Sequence, residues 1–165
     1  MIPSTPQAVA RTESRCRRLV TQRALLAAGV AMVPLPGVDW LTDIAVLLKL
    51  LPEINAAFGL SPQQIERLSP HRRMVVYKAL TAAGGLVAGK LVTREVVMQL
   101  LKLVGMRLST QQAAKFVPVA GQAISAALTY SALRYVCHRH IEQCKAVVMQ
   151  LQLAAPEPAT EQTAS

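Results

Sequence analysis

Three side chains that soft metals accept fall on one helical face: Cys137, His140 and Cys144 are spaced i, i+3 and i+7, and a thiolate–imidazole set suits zinc or copper. A structural zinc site needs four ligands, and no fourth donor is evident at a fitting spacing. The same positions continue an apolar stripe through Leu133, Val148 and Leu151, so packing in a helix core accounts for them. Asp39 and Asp43, one turn apart, would suit paired acid–base work, but they sit where a helix begins and its dipole favours carboxylates. No nucleophile, histidine or glycine-rich loop is tied to them. His71, beside Arg72 and Arg73, reads as a solvated helix start. The expectation is a protein without catalytic residues, metal or cofactor.

The constellation that carries a function is basic. Arg11, Arg15, Arg17, Arg18 and Arg23 precede the uncharged run from Ala24 to Val38. Such a cluster beside an apolar helix belongs at the cytoplasmic face of a membrane, where each basic residue gains about 1 kcal/mol from anionic lipid. Trp40 joins these arginines as a candidate lipid contact. The alternative is the solvated face of a soluble bundle.

Composition agrees with both readings and excludes others. The 165 residues suit a single domain. Hydrophobic residues make up 52%, charged residues 16% and aromatics 4%, with a mean hydropathy of +0.33, so the apolar surface is spread over Ala, Val and Leu and has more area than one small core absorbs. The net charge is +9, which attracts polyanions such as lipid headgroups or nucleic acid. No zinc-finger spacing, aromatic ribonucleoprotein motif or basic region with heptads is present, so no nucleic-acid partner is expected. Three cysteines, an odd number, argue for reduced thiols in the cytoplasm. Arg17 to Ala31 imitates a signal peptide but is preceded by Pro3 and Pro6 and lacks a good cleavage site.

These features require helices to position them. Thr5-Pro6 is an N-cap and first-turn pair opening a helix that runs to about Met32, where Pro34, Pro36 and Gly37 break it. A second, amphipathic helix starts at Asp39, meets Pro52 and ends near Gly59. Ser61-Pro62-Gln63-Gln64 is a capping box for a short helix, and Ser69-Pro70 opens a run extending to about Val104. Gly84, Gly85 and Gly89 inside that run would let another helix approach closely. Pro118 and Gly121 repeat the Pro–Gly spacing of Pro34 and Gly37 and enter a last helix. Its uncharged stretch, Phe116 to Leu133, is at the lower length limit for a bilayer span. Gly121, Ser125 and Thr129 give it a small-residue stripe, and Arg134, His138, Glu142 and Lys145 a polar one. Residues 1–5 and the Pro-, Thr- and Glu-rich 154–165 are expected to be disordered, with one helical domain over 6–153.

MVPLPGVDWLTDIAVLLKLLPEINAAFGLS, followed about eighty residues later by KFVPVAGQAISAALTYSALRYVCHRHIEQCKAV, resembles the helical C-terminal region of the interferon-inducible immunity-related GTPases. It is equally similar to the helical domain that bacteria fuse behind GTPase domains or place in small inner-membrane proteins. The resemblance covers roughly residues 20 to 150 and implies a membrane-associated module working with a nucleotide-binding domain. The chain departs from those GTPases in having no phosphate-binding loop: Gly84-Gly85-Leu86-Val87-Ala88-Gly89-Lys90 has the wrong spacing, so a GTPase-like partner would act in trans.

The resulting expectation is an all-α protein: helical hairpins forming an apolar bundle of about four long helices with short connecting helices. It has a non-enzymatic role on the cytoplasmic side of the inner membrane, with anionic lipids as partners. A soluble helical adaptor or homo-oligomer, binding a protein through its apolar faces, is the competing expectation. Asp39, Asp43 and Lys49 favour it, because charge at bilayer depth is costly.

Overall fold

A computed structural model describes residues 2–30, 38–82, 93–99, 102 and 121–153. The described residues are helical with no strands, as the composition predicts. Among the described residues five helices follow in order, α1 (Pro6–Val30), α2 (Val38–Ala57), α3 (Pro62–Glu66), α4 (Pro70–Ala82) and α5 (Gly121–Leu153), with a short helical segment at 94–99 between the last two.

The helix starts are local chemistry. Thr5 Oγ1 accepts from the Ala8 amide at 3.2 Å, capping α1 one residue before Pro6. At α3 the capping box is complete: Ser61 Oγ accepts from Gln64 N at 3.3 Å and Ser61 N donates to Gln64 Oε1 at 3.0 Å. The end of α3 is closed from outside, because Arg73 of α4 donates Nη2 to the Glu66 and Leu68 carbonyls. The expected single run from Pro70 to Val104 is interrupted. Thr93 is non-helical and a new helical segment occupies 94–99, opened by Val97 N donating to the Thr93 carbonyl at 3.1 Å. Thr93, with Glu95 in the following turn, offers the polar groups a helix start needs.

Pro52 lies within α2 without ending it. The end comes at Gly59, whose φ of +73° no side-chain-bearing residue adopts easily. Gly59 N donates to the Ala56 carbonyl at 3.1 Å and Leu60 N to the Asn55 carbonyl at 2.8 Å, the paired bonds of a Schellman motif. Leu60 and Ile54 are both fully buried and supply its apolar contact.

The core is the seam where α1, α2 and α5 meet. Val9, Cys16, Val20, Ala24 and Ala27 mark the inner face of α1, and Leu47, Leu50, Leu51 and Ile54, with Phe58 just past its end, that of α2. The apolar stripe read in α5 is buried as expected, at Leu133, Cys137, Cys144, Val148 and Leu151. Each fully buried aliphatic side chain stabilises by about 1.5–3 kcal/mol relative to exposure. Contacts between residues 3 and 152, 13 and 145, and 17 and 142 run α5 antiparallel to α1. Helix α4 packs on α5 as well. The segment ahead of α1 makes contacts from Ile2 onward. Ile2 packs against the core, and Gln152 donates to the Pro3 carbonyl at 2.9 Å.

One position tests this architecture sharply. A Cβ on Gly59 would stand 2.7 Å from Ile2, and the φ is unfavourable as well. Gly59→Ala is expected to lower the unfolding free energy by about 2 kcal/mol, read from the urea midpoint at unchanged slope. An unshifted midpoint would contradict the turn geometry.

Candidate functional site

The exposed residues of α1 beyond its first turn are Ala10, Arg11, Ser14, Arg15, Arg18, Gln22, Leu25, Leu26 and Gly29. Steps of three and four residues keep these positions on one side of a 3.6-residue helix. That outer face is divided along its length. Its N-terminal part presents three arginines, and its C-terminal part presents Leu25 at 57% and Leu26 at 68% exposure.

The five arginines expected to act together therefore part company. Arg11, Arg15 and Arg18 line an open groove of about 1080 Å³ between α1 and the end of α2, and have no ion-pair partner among the described residues. Arg17 belongs to the opposite side. It pairs with Glu13 at 2.8 Å and with Glu142 of α5, and donates Nη1 to His138 Nδ1 at 3.1 Å. Four residues of the polar stripe of α1 and α5 thereby share one network, completed by Lys145 and Glu13 at 2.9 Å. Of the five arginines named as lipid-contact candidates, Arg17 is the one tied between α1 and α5 by ion pairs. Arg23 stands 3.9 Å from Glu53 across two exposed side chains, a contact of small energetic weight.

Titration follows from this packing. The Lys145 hydrogen bond, with Arg17 close by, holds the Glu13 carboxyl below its usual range, and Glu13 in turn raises Lys145. Burial first, then the neighbouring Arg17 and Arg134 charges, lower His138. Because arginine only donates, His138 accepts at Nδ1 and carries its proton on Nε2.

A second polar group lies wholly inside. His140 Nε2 is 2.9 Å from Asn55 Oδ1, and Cys144 Sγ approaches the same oxygen at 3.5 Å and the ring nitrogen at 3.7 Å. The Leu51 backbone and the Gln143 side chain lie near the ring, but among the described residues Nδ1 has no partner in strict hydrogen-bond geometry. Burial lowers His140 to about 4, raises Cys137 to about 12 and raises Cys144 as well. Thiols so poor in thiolate are weak nucleophiles and weak ligands. Among the described residues no group of three or more His, Cys, Asp or Glu could hold a metal. The packing explanation of Cys137, His140 and Cys144 thus acquires its missing member, Asn55. Its sequence signal was a lone amide among Leu51, Ile54 and Phe58 on the apolar face of the helix.

The remaining candidates divide by position. Asp39 and Asp43 lie in the opening turns of α2 and Trp40 between them, with side chains outside the described residues. Pro34, Pro36, Gly37 and Pro118 lie outside the described residues, as do Gly84, Gly85 and Gly89. Gly121 is the first residue of α5; Thr129 is buried, and the Ser125 side chain lies outside the described residues. One described stretch, Ile44–Glu66, is long and apolar enough by length and composition to cross a membrane, and half of its apolar window is buried. It contains the Schellman end at Gly59, so it is two helices rather than one.

Two outcomes test the buried chemistry. His140 is neutral when folded and binds a proton below about 6.5 when unfolded, so stability is complete above pH 6.5 and declines as pH falls toward 4, by up to roughly 3 kcal/mol. Urea unfolding across that range should show this slope in the native chain and a flatter one in His140→Gln; parallel slopes would refute it. Arg17→Gln should destabilise by about 1 kcal/mol through the lost network, measured as a fall in the thermal midpoint that Arg18→Gln does not produce. No protein-family model matches this chain, and neither a curated protein nor a solved structure matches it.

Proposed function

We propose that this chain is a non-enzymatic helical protein that associates with anionic membrane surfaces, on the cytoplasmic side of the inner membrane, through the outer face of α1. The observation that carries the reading is the order of residues on that face. Arg11, Arg15 and Arg18 are free of ion pairs among the described residues and are followed on the same side by exposed Leu25 and Leu26. Fifteen residues of helix place these two chemistries along about 22 Å. A helix lying in the membrane plane needs this arrangement: guanidinium groups among phosphates and leucine side chains below the headgroups. The uncharged sequence from Ala24 to Val38 extends the apolar part. Any nucleotide chemistry would come from a GTPase-like partner acting in trans, as the resemblance implies.

A soluble adaptor is the second reading, and a separate patch favours it. Met74 and Tyr77 of α4 are 56% and 52% exposed, beside Arg73 and Lys78 on a shallow apolar groove. Such a patch suits a protein partner.

Vesicle co-sedimentation separates the two. The Arg11, Arg15 and Arg18→Gln triple variant should bind phosphatidylglycerol-containing vesicles about 100-fold more weakly, from about 1 kcal/mol per lost charge, whereas Arg17→Gln should bind as the native chain does. Leu25→Ser with Leu26→Ser should weaken binding that added salt does not remove. A native chain that stays in the supernatant with anionic vesicles would defeat the membrane reading.

A further inference from the structure

We infer that the groove between α1 and the end of α2 is a seat for a phospholipid headgroup ending in a phosphomonoester. This rests on the membrane reading and names the headgroup chemistry that the same face selects.

The groove has charged walls and a methyl floor. Arg11, Arg15 and Arg18 rise from one side at i, i+4 and i+7, spanning two turns or about 10 Å. Ala10 and Leu19 of α1 and Ala56 and Ala57 of α2 give the floor its short apolar surface. Glu53 is the acid in this lining, and it stands toward Arg23, at 3.9 Å, at the end away from Arg11. The Ser14 hydroxyl adds a neutral donor among the arginines.

Such a site discriminates between anions of equal charge density. A terminal phosphate offers three oxygens and up to two negative charges, so more than one guanidinium can take it in a bidentate grip. A phosphodiester has two free oxygens and one charge, and a headgroup with its own ammonium brings a cation that the arginines repel. The methyl floor fits the glycerol and first acyl carbons of a lipid, which a bare phosphate lacks.

The test compares phosphatidylcholine vesicles carrying phosphatidic acid with vesicles carrying phosphatidylglycerol, matched in zeta potential. The native full-length chain should bind the phosphatidic acid vesicles about tenfold more tightly, the worth of one added charged hydrogen bond. Equal binding to the two would overturn the headgroup seat while leaving membrane association standing; binding to neither would remove both. Ala56→Trp fills the floor at unchanged charge and should bring the preference to about one, with far-UV circular dichroism as the folding check. Ala10→Trp, on an exposed floor position contributed by α1, takes its place if Ala56→Trp does not fold. A preference retained in the folded variant would refute the seat. Excess soluble glycerol phosphate should leave the vesicle preference in place, and its loss would assign the groove to a soluble phosphate ester and overturn the lipid source.

Discussion

His140 can occupy its place only as a neutral ring. It is 3% exposed between α2 and α5, where an unpaired charge would cost far more than the packing gains, and its one strong partner is the Asn55 side chain. Asn55 has two duties in consequence. Its side chain satisfies the histidine, and its carbonyl receives the Leu60 amide that ends α2. The point where α2 stops and the point where α5 docks are therefore one residue. A polar pair buried in this way adds little net stability over an apolar pair of the same shape. What it adds is register, because sliding α5 by one residue would leave an amide and an imidazole both unsatisfied.

Around that pair the charges are sorted by side. The inner edge of α1 spends Glu13 and Arg17 on α5, forming a compact network with His138, Glu142 and Lys145. The outer edge keeps Arg11, Arg15 and Arg18 over a cleft with no ion-pair partner among the described residues. Two arginines adjacent in sequence, Arg17 and Arg18, thus have unrelated roles because one residue turns a helix by 100°. The net charge of +9 understates the field on the outer edge and overstates it at the α1–α5 seam.

Most of the helical frame could be read from the chain because it is local. Thr5-Pro6, Ser61 with Gln64, Ser69-Pro70 and Gly59 are each decided within a few residues, by a cap or a backbone dihedral. The buried stripe of α5 was legible for the same reason, through its period. Pairings over long separations were not. That Arg17 leaves the basic cluster depends on Glu142, 125 residues away, and that His140 is satisfied depends on Asn55, 85 residues away. Ile2 escaped notice because its role lies in the space above Gly59, which carries no periodic signal. Non-helical Thr93 breaks a run that average hydrophobicity alone would continue.

The antiparallel seam of α1 and α5 joins the two ends of the described chain, with partners 121 to 149 residues apart. During synthesis α1 emerges before α5, and its inner face of Val9, Cys16, Val20 and Ala24, which α2 covers in part, waits through more than a hundred further residues for the rest of its cover. At the elongation rates of ribosomes that wait lasts on the order of ten seconds. Closure over so long a contour is also entropically slow. The nascent protein is thus, for a time, a basic helix with its greasy side open, a chemistry that chaperones and bilayers alike capture.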